Sequence, residues 1–490
     1  MPVRGSTDGR SIGDIPQRNG MAALSFSGIA SGIDTQAIID STVASARLAR
    51  VTPNKTKLGE LEETNTALET LGSKLDALRT TLQQFTSLAG GGVSKIGSSS
   101  KESVVGATAT NAATNGSYDI TVTTLAKNHT YSFDQTYAST TSALESSLTG
   151  AEPAGDRTVT FTIGTGANQE TVSVVVTDGS YSISKFVADF NNAATKAEAS
   201  LVNVGTQSNP SYKVVISGTY EGTEKGTISR TALGASLTSL TLFSESAASN
   251  SSLSISGIGN ITRSTNSISD VIPGVTLNLA SAGSATVKIA EDAATTTAKM
   301  QDFVAAYNDI VKFVSENNQI TRDDSGDEVK SVFAPLATTR TDDSALQAIR
   351  AQLSSSVASG GSLIRVFADI GITTERDGTI KFDSSKLQQA LSSEPGSVSS
   401  LVKSFADNVA LTGGVVDRYT RYSGLLDVSI NNNKTLINDL NRRISDTEKQ
   451  IQRMADSLKE RYARLEGLMS RLQQQQTSLA GALGGGSGSK

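Results

Sequence analysis

Residues 430–479 read INNNKTLINDLNRRISDTEKQIQRMADSLKERYARLEGLMSRLQQQQTSL, and a single recurring position in this stretch decides how the chain is organised. Every seventh residue is aliphatic: Ile430, Ile437, Ile444, Ile451, Leu458, Leu465, Leu472 and Leu479, with no proline between Val415 and Leu483. An apolar repeat of seven sustained over this length keeps one narrow seam turned toward a partner, so it predicts a long supercoiled helix. The companion position, three residues on, reads Asn433, Leu440, Thr447, Met454, Arg461, Leu468 and Gln475. It alternates polar and apolar, so only half of a tight dimer seam is present. Fully burying each Ile or Leu is worth about 1.5–3 kcal/mol, which gives the helix a strong reason to find neighbours.

A second heptad lies near the other end of the chain. Leu61, Leu68, Leu75 and Leu82 repeat by seven, with Leu71, Leu78 and Phe85 in the companion position. This full seam is expected to pair with the C-terminal helix, bringing both chain ends together; packing inside one bundle and packing between subunits both remain open for it. The C-terminal helix, at roughly 75 Å, is about twice as long. Much of its seam must therefore meet the Ile38–Val43 segment or another subunit.

With 490 residues the chain should form several domains. Lys and Arg number 43 against 48 Asp and Glu, a net charge of −5 with pI about 5.3, which argues against a hold on nucleic-acid backbones. There is no Cys, no Trp and one His, which removes disulfides, thiolate metal sites and Cys nucleophiles. No apolar run reaches the roughly 18 residues of a membrane span. Residues 1–20 lack the apolar core of a signal peptide and read as a disordered extension ahead of Met21.

The expected fold is α+β and multidomain: a terminal coiled-coil and helical-bundle stalk, with two mainly-β head domains inserted between the N- and C-terminal helices. Residues 21–56 form an N-terminal leg segment, with a helix capped at Asp34 or Thr35 and Pro53 ending or restarting it; 57–97 form the N-terminal coiled-coil helix of the stalk. Alternating runs such as Tyr118-Ile120-Val122, Val159-Phe161-Ile163, Val172-Val174-Val176 and Tyr212-Val214-Ile216 predict half-buried strands. They place a β head domain at 98–150 and 251–293 and an outer β-rich domain at 151–250, with one helix capped at Ser184. The helical stalk resumes over 294–428, with a helix from Thr296, another capped at Asp343 or Ser344, and an Asp377-Gly378 hairpin before a helix capped at Asp383 or Ser384. Residues 429–483 form the C-terminal coiled-coil leg and 484–490 a flexible tail.

Candidate chemistry is sparse. His129 has no second His or Cys for a zinc site. The loop RDDSGDE, with Asp323, Asp324, Asp327 and Glu328, has its glycine out of register for a calcium loop and reads as solvated charge. No catalytic constellation, cofactor site or metal site is expected, and the chain is not read as an enzyme.

The motifs SGIASGIDTQAIID, SISDVIPGVTLNLASAGSATVKIAEDAATTTAKMQDFVAAYNDIV, DIGITTERDGTIKFDSSKLQQAL and EKQIQRMADSLKERYARLEGLMSRLQQQQTSL, in that order, resemble the bacterial flagellar filament cap family, also called hook-associated protein 2 or FliD. The resemblance spans Met21 to Leu483 and is least specific over Thr158–Arg230. It implies a secreted protein of the distal flagellar tip, passed unfolded through type III export, that forms a homo-oligomer, expected as a pentamer on the filament with other ring sizes possible. It further implies retention, folding and insertion of flagellin. Other implied partners are the hook–filament junction protein and a cytosolic export chaperone on the C-terminal helix, with no nucleic acid and no membrane span. On this reading Leu61, Leu68, Leu71, Leu75, Leu78, Leu82 and Phe85 of the first heptad and Ile430, Ile437, Leu440, Ile444, Ile451, Met454, Leu458, Leu465, Leu468, Leu472 and Leu479 of the second form the oligomer and filament-contact seam. Rival readings are another flagellar axial subunit, or a secreted adhesin whose β head takes host mucin or glycan.

Overall fold

The computed structural model describes residues 34–324, 330–355 and 362–484. The expected extension over 1–20, residues 21–33 of the leg segment, Asp327 and Glu328 of the acidic loop, and residues 485–490 of the tail lie outside the described residues.

In chain order, helices α1 (Thr35–Arg50) and α2 (Thr52–Gln83) come first, then strands β1 (Lys95–Ser99), β2 (Val105–Ala109) and β3 (Gly116–Thr124). Next are β4 (Asn128–Phe133), β5 (Thr158–Ile163), β6 (Glu170–Val175), α3 (Ile183–Ala193), β7 (Ala197–Asn203), β8 (Tyr212–Glu221), the one-turn α4 (Thr223–Gly226), β9 (Ile228–Leu233) and β10 (Phe243–Ser246). Strands β11 (Ser251–Ile255), β12 (Gly259–Arg263), β13 (Ser267–Ile268), β14 (Val275–Leu279) and β15 (Gly283–Glu291) lead to α5 (Ala293–Asn317). The chain closes with β16 (Ile320–Asp323), β17 (Lys330–Phe333), α6 (Thr341–Ser354), β18 (Ile372–Thr374), β19 (Ile380–Phe382), α7 (Ser384–Ser393), α8 (Pro395–Ala410), α9 (Val415–Thr420) and α10 (Leu425–Gly484). It divides into two compact units, one of residues up to Ala67 with those from Val428 on, the other of Leu68–Asp427.

The first unit is helical. Asp34 caps α1 by accepting from the Ala37 N–H at 2.9 Å. Pro53 restarts the helix: lacking an N–H it fits the first turn of α2, while Val51 N–H still donates to the Arg47 carbonyl and Lys55 N–H to that of Val51.

The second unit holds three bodies. An inner β domain packs a five-stranded sheet, order β1-β15-β3-β11-β12, against a three-stranded one, order β13-β14-β2, around Ile120, Val122, Leu253, Val275, Leu277 and Val287. An outer β domain combines a four-stranded sheet, order β10-β4-β8-β7, with a three-stranded β6-β5-β9 and α3 around a core rich in Tyr131, Phe133, Phe161, Phe186 and Phe190. These aromatic rings meet mostly edge to face at 5.5–6.2 Å between centroids. Strand β4 belongs to the outer sheet, so the crossover between β domains falls between β3 and β4 rather than at residue 150; Leu144 and Leu148 also sit in the outer core. The third body packs α5 to α9 and the end of α2 around Phe303, Phe367 and Phe405.

Several helix starts differ from the expected ones. The α3 cap is Ser182, which accepts from Lys185 N–H at 3.2 Å, not Ser184. Helix α5 begins three residues before Thr296, capped by Asp292, and α6 begins at Thr341, ahead of Asp343 and Ser344. The C-terminal helix α10 starts at Leu425, four residues ahead of the expected 429, and the short α9 before it stops at Thr420. Two copies of one turn make these starts. In Leu411–Asp417 (LTGGVVD) the Gly413 N–H donates to the Asp417 carboxylate at 2.8 Å; in Arg421–Asp427 (RYSGLLD) the Ser423 N–H donates to that of Asp427 at 2.9 Å. The next residue, Gly414 or Gly424, closes each turn onto the carbonyl three residues back.

Candidate partner-contact surface

Two polar contacts define how the terminal helices pair. Arg47 Nε donates to Glu448 at 3.0 Å, and Asn433 Nδ2 donates to Asn65 Oδ1 at 2.9 Å. As the chain advances from 47 to 65 on one side it retreats from 448 to 433 on the other, so α1 and the start of α2 lie antiparallel to α10. Ile39, Val51, Leu61, Ile430, Ile451 and Ala455 are buried along this pairing, and Ile437, Leu440, Ile444, Met454 and Leu458 are half-buried. Asn65 is itself buried, with Thr64 beside it, so a polar layer interrupts the aliphatic seam.

Past Leu458 the character of α10 changes. Leu465, Leu468, Leu472 and Leu479 are 46%, 58%, 55% and 59% exposed, and Met469 lies beside them. They keep the 3-and-4 spacing of the seam, so a narrow aliphatic stripe faces outward over the last turns of a 60-residue helix. Covering four half-exposed leucines is worth on the order of 1 kcal/mol apiece. Ile38 and Leu48 on α1 are also exposed, on the side of that helix away from Ile39.

The N-terminal heptad behaves differently from this stripe. Leu68, Leu71, Leu75, Leu78, Leu82 and Phe85 are covered completely within the chain, and so are not surface offered to other subunits. Helices of the third body cover them: Lys74 pairs with Asp309 of α5 at 2.6 Å and lies 5.3 Å from the Phe313 ring, Arg79 Nε donates to the Ala410 carbonyl, and Ser87 N–H donates to Asp407. Of the expected contact residues, then, the structure leaves outward the C-terminal set from Leu465 on. The expected readings of polar residues are simpler. Arg322 pairs with Asp324 on an exposed hairpin, and His129 is buried in the outer β domain. Among the described residues no group of three or more His, Cys, Asp or Glu is placed to hold a metal ion, and no helix is long and apolar enough to cross a membrane.

Comparison with known proteins bears on what this surface serves. Residues 31–129 match the family model described as flagellar hook-associated protein 2 N-terminus, and residues 248–474 match that of its C-terminus. The A-type flagellar hook-associated protein 2 of Pseudomonas aeruginosa is 27% identical over 488 residues, covering 94% of this chain and 97% of that protein. The flagellar hook-associated protein 2 of Escherichia coli K12 is 26% identical over 472 residues, covering 92% and 96%. The crystal structure of the D1-D2-D3 domains of the flagellar cap protein FliD from Escherichia coli superposes with a TM-score of 0.55 at 22% identity, covering 75% of this chain and 99% of that one, a likeness of fold.

Proposed function

Because the chain belongs to the flagellar hook-associated protein 2 (FliD) family, the filament caps, we infer that it assembles with further copies of itself at the distal tip of the bacterial flagellar filament, outside the cell. There it retains exported flagellin and promotes its folding and insertion. The observation that carries the mechanism is the half-covered seam of α10, paired with the chain's own N-terminal helices up to Leu458 and bare from Leu465 to Leu479. A stripe of separated leucines, broken at its companion positions by Arg461 and Gln475, suits docking that must be released and repeated as the filament grows. A fully aliphatic seam would hold too tightly to step. Flagellin, the hook–filament junction protein and, before export, a chaperone on the C-terminal helix are the partners of this reading, with a pentamer as the assembly on the filament. The role is structural, and no chemical step is assigned.

Deletion and complementation test it. A strain lacking the gene for this chain is expected to release flagellin into the medium and bear no filaments, and the full chain is expected to restore them. Normal filaments in the deletion strain overturn the reading.

A further inference from the structure

His129, the chain's single histidine, lies on β4 of the outer β domain and is 3% exposed. It shares the inward face of that strand with Tyr131 and Phe133, between β8 on one side and the edge strand β10 on the other. Neither ring nitrogen has a hydrogen-bond partner, and neither has the Tyr131 hydroxyl. The Glu245 carboxylate of β10 stands 3.5 Å from Nε2, beyond the range of a good N–H···O bond. Glu245 is directly opposite Tyr131 in the ladder and so turns to the same face, with its side chain still half exposed.

Strand β10 is thinly held. All four of its residues are exposed, and besides the ladder to β4 it is fixed by the Ser244 hydroxyl, which donates to Asp134 at 2.8 Å, by the Ser132 hydroxyl on the Ser244 carbonyl, and by the Phe243 ring, stacked on Tyr131 at 4.4 Å with the Arg230 guanidinium 4.9 Å from its centroid. It runs on into the segment that returns the chain to the inner β domain. There Ser249 bridges to Lys127, and Asn250 accepts from the Thr223 N–H at 2.8 Å. Gly222 fits this joint because its backbone is left-handed and a Cβ would strike Ser264 at 2.5 Å.

We propose that His129 is an acid-sensitive latch on the outer β domain, with Glu245 a partial counterweight: a neutral imidazole lets β10 close over the core, and the cost of burying the protonated ring exceeds its attraction to Glu245, so that protonation releases β10 and loosens the joint behind it. Charging the ring places a cation in the interior with one poorly matched carboxylate to answer it. The other charges around β4 do not help. Arg230 of β9 lies against the Phe243 ring, donates to the Leu240 carbonyl and carries the wrong sign; Glu221 of β8 is engaged by Asn266, and Lys213 pairs with Asp134; Glu224 of α4 accepts from Asn168, and Lys225 lies against the Tyr220 ring; Lys127 precedes His129 by two residues and carries the wrong sign. Burial accordingly holds the imidazole below its ordinary 6.5, with Glu245 offsetting only part of the effect. Because the folded state binds this proton less readily than the unfolded one, the stability supplied by the neutral ring is full above pH 6.5 and is lost as pH falls below it.

The full-length chain provides the test, since one histidine gives one imidazole titration by NMR. Its midpoint is expected below 6.5, and amide protection over residues 243–249 is expected to fall about threefold or more between pH 7 and pH 5, after correction for intrinsic exchange, relative to β5. The His129→Phe chain is expected to show no such loss. Glu245→Gln, a change at a half-exposed site, is expected to push the midpoint lower still. A midpoint at or above 6.5, an equal acid loss in His129→Phe, or an unmoved midpoint in Glu245→Gln overturns the latch.

Discussion

Ser423 is the one residue other than glycine, among those described, with a positive φ, at 56°. It occupies the place that Gly413 fills in the first copy of the turn, where φ is 81°. A side chain in the left-handed region costs about 1 kcal/mol, so Ser423→Gly is expected to raise stability by up to about that amount, read as a higher melting temperature; a lower one counts against this account of the turn. The repeat ten residues apart is visible in the sequence as [TY]-[GS]-G-[VL]-[VL]-D, yet apolar periodicity passes over it because turn residues carry it. Asp342 is a second residue under tension. It is fully buried, with one oxygen accepting from the Thr339 hydroxyl at 2.6 Å and the other without a partner. Burial raises its carboxyl above the usual range, so its contribution is best at low pH and is lost as pH rises through the folded value. Asp342→Asn is therefore expected to flatten the rise of instability from acid to neutral pH, measured by thermal melts across that range; an unchanged slope rejects it.

At the scale of elements, the two heptads look alike as letters and differ in what covers them. Leu75 is fully buried and Leu472 is 55% exposed. Leu75→Ala is expected to cost about 2–5 kcal/mol in denaturant melts, whereas Leu472→Asp paired with Leu468→Asp is expected to leave those melts unchanged and abolish complementation of filament growth. Destabilisation by the aspartates, or growth that survives them, contradicts the division. The regular elements were legible because their side chains announce a period: the inward sets of β3, β5, β6, β8, β14 and β15 fall where alternation puts them. Strands such as β1, β7, β9 and β10 escape that reading. β1, for example, is KIGSS, with only one large apolar residue, and its place is set by pairing with β15. Which leucines lie outward was not legible either, since burial of α2 depends on helices that enter more than two hundred residues later, as the Lys74–Asp309 pair illustrates.

On the scale of the whole chain, the gradient along α10 makes a statement about motion. Amides near Ile451, where the seam is covered, are expected to exchange more slowly in the isolated chain than those from Leu465 onward, and docking on filament ends is expected to slow the latter selectively. Uniform protection from Ile430 to Leu479 at low concentration removes the physical basis for a docking stripe. The Asn65–Asn433 bond joins residues 368 positions apart. Closure over so wide a separation waits for the late part of the chain. The helical unit that joins the two chain ends therefore cannot stiffen before the residues from Val428 on are present, whereas the β domains, whose cores lie wholly within residues 104–289, have no such wait.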